Sequence, residues 1–508
     1  MNRTTVSLIA GVAALAAVTG FASLSEPEAS VRDSATTAAR LPVERTSLLC
    51  PAPSTSDIAE TAYTSFTPLT EGTGGKGAAE LAPAGAGPAD KGTSKDEADD
   101  DGGKADGKGD GAKAVLTPKK AGKPVTGESS GAEAPALIGT AEGSLASGWT
   151  VQQTTEVPAG TGRGLLGTTC TAPDTEFWFP GASTAKERTD YAHLTNPDDS
   201  AAVADIELFG KDGVLKSTVG EGIQIPPHGS EAVLLSTLID EPQTNLTVHV
   251  TVRSGRVAAA VQALDDRIGG DWLAPSTDPA AGLVLPGIPK DATSVRLVAF
   301  APGDSDADLK VRLASPSGLI TPAGHETLHV KAGMTAAVDL GDVTRGEAGS
   351  LVLTPTGRAT PVVAALRVVR GKGVDQETAF IPATGAVDTR ATAADNRSKG
   401  STLSLVAPGR SARVKVTASA GSGGGETTTK TYTVKGGTTL NVEPLVPSGL
   451  KGTYALTVEP LSGGPVHAAR TLAATEEGVP MFTVQTLPDD RGTVEVPDAE
   501  QDLSVLQK

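Results

Sequence analysis

Leu246-Thr247-Val248-His249-Val250-Thr251-Val252-Arg253-Ser254-Gly255 places an aliphatic side chain at every second position and then stops at a glycine. Period-two alternation gives a strand with one dry face and one wet face, and the glycine starts a hairpin. The pattern recurs at Tyr454, Leu456 and Val458 before Gly463. Around it, other landmarks repeat at the same interval. Pro197, Pro302 and Pro408 each end a short apolar run, with spacings of 105 and 106. Gly229, Gly333 and Gly437 each follow an alternating strand at spacings of 104 and 104, and Gly255, Gly357 and Gly463 part the hairpin arms at 102 and 106. Proline ends ladder pairing, which suits a corner. A period near 100 residues fits a whole β-sandwich domain better than a propeller blade or solenoid turn. The expected fold is all-β, with tandem immunoglobulin-like β-sandwich repeats at residues 175–279, 280–379 and 380–508. In the last, Phe482-Thr483-Val484-Gln485 and Gly492-Thr493-Val494-Glu495-Val496 form a C-terminal capping hairpin.

Repeat openings are expected at Trp178-Phe179-Pro180-Gly181, Leu285-Pro286-Gly287 and Ile381-Pro382-Ala383. Short Pro-containing joints such as Leu273-Ala274-Pro275 predict an elongated rod with limited bending. Only 3% of residues are aromatic, so the cores must be built from Val, Leu, Ile and Ala. Trp149, Trp178 and Trp272 lie near expected boundaries, which makes them junction residues rather than a sugar-stacking platform.

Residues 1–25 read as a signal peptide or signal anchor: Arg3 precedes 19 residues, Val6 to Leu24, that are mostly apolar. Gly20-Phe21-Ala22 suits cleavage and the length suits retention, and both readings place the remainder outside the cytoplasm. Residues 26–45 read as a linker. Residues 71–134 hold Gly, Ala, Lys and Asp with 12 acids against 9 bases and few large apolar side chains, so a disordered loop is expected. The flanking stretches, 46–70 and 135–174, have β-like composition and form a split, shortened N-terminal unit. Cys50 and Cys170 are the only cysteines, and outside the cytoplasm they pair most simply as a disulfide. The bridge would close that unit and tie the N-terminus to the first repeat.

A net charge of −17 excludes the usual electrostatics of nucleic-acid binding and of anionic membrane surfaces. The membrane is then touched only through the N-terminal segment, if that is retained. One motif has a catalytic form: His325-Glu326-Thr327-Leu328-His329 matches the zinc pattern H-E-x-x-H. That chemistry needs both histidines on one helical face. Thr327-Leu328-His329-Val330 alternates as a strand instead, which would part the histidines by roughly 13 Å, so no metal or other cofactor is expected. His193, His228, His249 and His467 have no recurring acid or serine partner and read as surface or cross-strand residues. Gly72-Thr73-Gly74-Gly75-Lys76-Gly77 has a nucleotide-loop form but lacks the strand and helix that would give it meaning.

Leu49-Cys50-Pro51, Cys170 with Trp178-Phe179-Pro180-Gly181, Leu194-Thr195-Asn196-Pro197, Lys211-Asp212-Gly213 and Pro227-His228-Gly229-Ser230 together resemble the secreted actinobacterial proteins grouped as domain of unknown function 5719. The resemblance implies an exported or envelope location and supplies no activity or functional residues. The expected role is a non-catalytic extracytoplasmic scaffold whose partner is an envelope protein or cell-wall component. A cell-wall glycan or peptidoglycan binder is the first alternative, and a zinc hydrolase using His325 and His329 the second.

Overall fold

A computed structural model describes residues 39–496, apart from 86–112 and the single positions 74, 218, 444 and 477. Among the described residues the chain is built of strands, with three single-turn 3-10 segments and no α-helix. The N-terminal apolar segment lies outside the described residues. Two compact units divide the chain. In one, whose described residues are 39–41 and 495–496, Arg40 donates Nε to Glu495 at 3.1 Å. The other, Pro42–Val494, holds four two-layer sandwiches.

The first repeat shows the common plan. One sheet orders Gly213–Leu215, Ala202–Gly210, Leu246–Ser254 and Glu176–Ala182, and the other orders Ser230–Leu234, Arg188–Thr195, Ala258–Asp265 and Gly269–Leu273. Val248 and Val250 of the opening motif are fully buried between the layers, while His249 and Thr251 face away. Each such aliphatic side chain contributes about 1.5–3 kcal/mol. The proline landmarks fall at equivalent places. Pro197, Pro302 and Pro408 follow Arg188–Thr195, Ala292–Phe300 and Ser401–Ala407, each the second strand of its sheet. Gly333 and Gly437 donate their amides to Ala301 O and Ala407 O, clasping that corner, and both have positive φ that favours glycine.

Several expectations need correction. The N-terminal unit is a complete sandwich: its sheets order Arg45–Cys50, Leu137–Glu142, Ala78–Pro83 and Val125–Ser130, Glu60–Phe66, Thr150–Val157, Gly164–Thr169. The expected loop 71–134 therefore supplies two strands. In Ala78–Pro83 the inward face is Ala79 and Leu81, so small side chains hid the alternation. Residues 26–45 likewise contribute Ala39–Pro42 and Arg45 to strands. The boundary at 379/380 cuts the strand Glu377–Pro382, which belongs to the second repeat, so Ile381-Pro382-Ala383 closes that domain and the third opens at Ala391–Asn396. Val479–Leu487 is the fourth strand of the third repeat's sheet, paired with His467–Glu476, and no capping hairpin forms. The Cys50–Cys170 disulfide forms, with Cα atoms 4.4 Å apart, but both cysteines lie inside the N-terminal sandwich, where the bridge pins one sheet to the other.

The largest correction concerns shape. The four sandwiches close into a ring and do not form a rod. Gly164–Thr169, Gly269–Leu273, Glu377–Pro382 and Val479–Leu487 are the last strand of their respective sheets, and each packs on the next, with the fourth returning to the first. Dry patches weld every junction: Val157, Leu166 and Leu264; Trp178, Phe300 and Val363; Val284, Val352 and Val406; Phe66, Ala394 and Ala455. Thin aliphatic cores explain this closure, because edge strands and outward apolar residues left wet in a rod become buried in a ring.

Candidate functional site

The four axial strands are buried along most of their length, so the line on which they meet is a second core of the molecule. Gly167 must be glycine there: a Cβ would sit 2.5 Å from Thr483 Cγ2 of the third repeat. Asp271, with no exposed surface, stitches the line together. Its Oδ1 accepts the Gly167 amide of the N-terminal domain at 2.9 Å, and its Oδ2 accepts the Thr483 hydroxyl of the third repeat at 3.1 Å. The amides of Trp272 and of Phe380, in the second repeat, also favour its charged form. Burial outweighs these donors and holds the Asp271 carboxyl well above the usual carboxylate range. One carboxyl group thereby contacts all four domains.

A second polar group lies between the N-terminal domain and the third repeat. Arg470, fully buried, donates Nη2 to Gln152 Oε1 at 3.1 Å and to Gln485 Oε1. Gln152 Oε1 also accepts the Asp395 amide at 2.9 Å, and Asp395 accepts the Thr154 hydroxyl at 2.8 Å. Burial lowers the Arg470 pKa to about 10, against the pull of Asp395. At the other end of the axial strands, Arg163 donates Nη2 to Val374 O and Gln376 O at 2.6 and 3.0 Å, joining the N-terminal domain to the second repeat.

The C-terminal ends of all four axial strands open into one funnel of about 1620 Å³. Part of its wall is made where those strands end, and each domain has a proline there: Pro173, Pro275 and Pro488 follow their strands and Pro382 ends its own, while Val43, Thr46 and Leu48 of the N-terminal domain and Asp198, His228 and Arg256 of the first repeat extend the wall. Proline fixes φ, so the wall is pre-shaped. Eight carboxylates and three arginines line the funnel, with no lysine. Several carboxylates are engaged: Asp198 accepts two arms of Arg256, Asp199 accepts His228 Nε2 at 2.7 Å, and Asp490 pairs with Arg390 at 2.5 Å. Glu80, Asp174 and Asp278, all exposed, enter no ion pair among the described residues. Deeper in the lining, Trp272 Nε1, Ser276 Oγ, Thr392 Oγ1 and Gln485 Nε2 have no partner, although their residues are at least nine-tenths buried.

None of the sequence's candidate catalytic residues meets here. Thr327–Val330 is a strand, as its alternation implied, with His325 in the turn before it. Glu326 accepts the Gly324 amide at 3.0 Å, while His329 donates Nδ1 to Asp308 at 2.8 Å on the neighbouring strand. The segment has no helical face on which two histidines could converge. Among the described residues no group of three His, Cys, Asp or Glu side chains is placed to hold a metal.

The other histidines divide. His249 stacks on Trp178 at 3.6 Å, and His228 lies at the funnel mouth. His193 and His467 are buried on paired strands, the cross-strand alternative of their reading. Burial lowers the His193 pKa to about 4. Of the tryptophans, Trp178 and Trp272 pack junctions as expected, whereas Trp149 sits in the N-terminal core and donates Nε1 to Ser65 at 2.8 Å. Sequence reading missed Asp271, Arg470 and the funnel. The available signal is a proline at the end of each domain's last strand, of which Leu273-Ala274-Pro275 reads as a joint and Ile381-Pro382-Ala383 as a repeat opening.

The disulfide suggests an oxidising, extracytoplasmic environment. No helix among the described residues is long and apolar enough to cross a membrane. No curated protein matches the chain. The chain belongs to a family of unknown function, DUF5719, whose model matches residues 125–445. That match begins in the N-terminal sandwich and ends in the third repeat, so it covers parts of all four domains.

Proposed function

We propose that this DUF5719 member is a non-catalytic, extracytoplasmic scaffold of the cell envelope, and that it engages its partner through the axial funnel. The observation that carries this reading is that the axial strand ends of all four domains meet in the funnel, on a line where buried groups lock those domains together. Rigid, pre-shaped loops on a fixed frame lose little entropy when a partner docks. Neither Trp149 nor Trp272 offers an open ring face to a sugar, since they are 3% and 2% exposed, which speaks against the glycan alternative.

Photo-crosslinking in cells tests the proposal. A crosslinking residue placed at Thr277, in the funnel, should attach one reproducible partner that the same residue at Thr429, on the third repeat's outer sheet, does not. Equal labelling from both positions would remove the funnel from the mechanism.

A further inference from the structure

We infer that the funnel takes an extended, basic polypeptide segment. This rests on the funnel being the binding surface and adds the chemistry of its occupant.

Size comes first. Small-molecule pockets span about 300–1,000 Å³, and the funnel, at about 1620 Å³, is larger and open at its mouth. It suits a length of polymer. Charge comes second: the lining has eight carboxylates, three arginines and no lysine. Asp174 and Asp278 occupy equivalent rim positions, after the axial strands of neighbouring domains, and neither is in an ion pair among the described residues. An anionic polymer would meet repulsion there, and a cationic one attraction.

The shape and charge of the lining separate peptide from sugar. In an extended segment side chains alternate, so every second basic residue can face the carboxylate rim. Saccharide recognition would instead want open aromatic faces, and these are covered.

The test uses the full extracytoplasmic chain and fluorescently labelled decamers of alternating sequence: lysine–alanine, glutamate–alanine and serine–alanine. An unlabelled N-acetylglucosamine tetramer is measured by intrinsic tryptophan fluorescence. The lysine decamer should bind alone among the peptides, and more weakly as salt rises. The double variant Asp174→Asn with Asp278→Asn should weaken it about four- to twenty-fivefold, since each exposed ion pair contributes a factor of about two to five. The control double variant Glu128→Gln with Glu426→Gln, outside the funnel, should leave it unchanged. Equal binding of all three peptides, or an unaffected Asp174/Asp278 variant, overturns the charge assignment. Tetramer binding with no peptide binding overturns the polypeptide assignment while leaving the funnel as the binding surface. Absence of binding by every probe also overturns the inference, and the crosslinking result then decides separately whether the funnel binds at all.

Discussion

Replacing Asp271 by alanine removes the one carboxyl group that all four domains share. Two buried donors, the Gly167 amide and the Thr483 hydroxyl, lose their acceptor. Each orphaned donor costs about 1–3 kcal/mol. Relief of the burial that raises the Asp271 pKa works in the opposite direction, so the net loss expected is about 2–4 kcal/mol. The sign with pH follows. Because the folded-state pKa is raised, wild-type stability from this group is full below the unfolded carboxylate pKa and falls as pH rises through the folded one. The cost of Asp271→Ala should therefore be larger at pH 5 than at pH 8. Urea unfolding followed by tryptophan emission measures the loss, and hydrogen exchange locates it. Faster exchange is expected at Gly167 and across the axial strands of the other domains, not in the first repeat alone. A loss under about 0.5 kcal/mol, or exchange changes confined to the first repeat, would refute the account of the ring as stitched through this side chain.

Glu377 stands near Arg370, Arg163, Asp291 and Asp375, and burial raises its pKa to about 7. Its stabilising contribution is complete below the unfolded pKa near 4.5 and is lost as pH climbs through about 7, so Glu377→Gln should raise Tm at pH 8 and change it little at pH 5. His193 works in the other sense: its pKa falls to about 4, so stability present above 6.5 is lost between pH 6.5 and 4, and His193→Gln should flatten the acid limb of the Tm profile. Reducing Cys50–Cys170, which encloses a separation of 120 residues, should cost about 2–4 kcal/mol and expose the N-terminal sandwich to proteolysis before the repeats. Isolated second repeat should associate or precipitate at low salt, because Phe300, Val363, Val284 and Val352 lose the neighbours that cover them. A monodisperse, soluble single repeat would argue against the ring.

Alternation along Leu246–Ser254 and the recurrence of Pro197, Pro302 and Pro408 determined the sandwich fold and its threefold repetition, because strand periodicity and corner prolines are local properties written residue by residue. The strand at Thr327–Val330 was legible for the same reason, and so was the pairing of two lone cysteines. Ala78–Pro83 escaped notice because alanine carries too little apolar signal outside its packed context. Ring closure was not legible at all. It depends on Gly167, Asp271, Phe380 and Thr483, residues over a hundred positions apart or in different domains, meeting on one line. The funnel follows from that meeting. Each proline-marked strand end is an ordinary chain passage in its own domain, and only the packing of four edge strands against one another brings the four ends together in one wall.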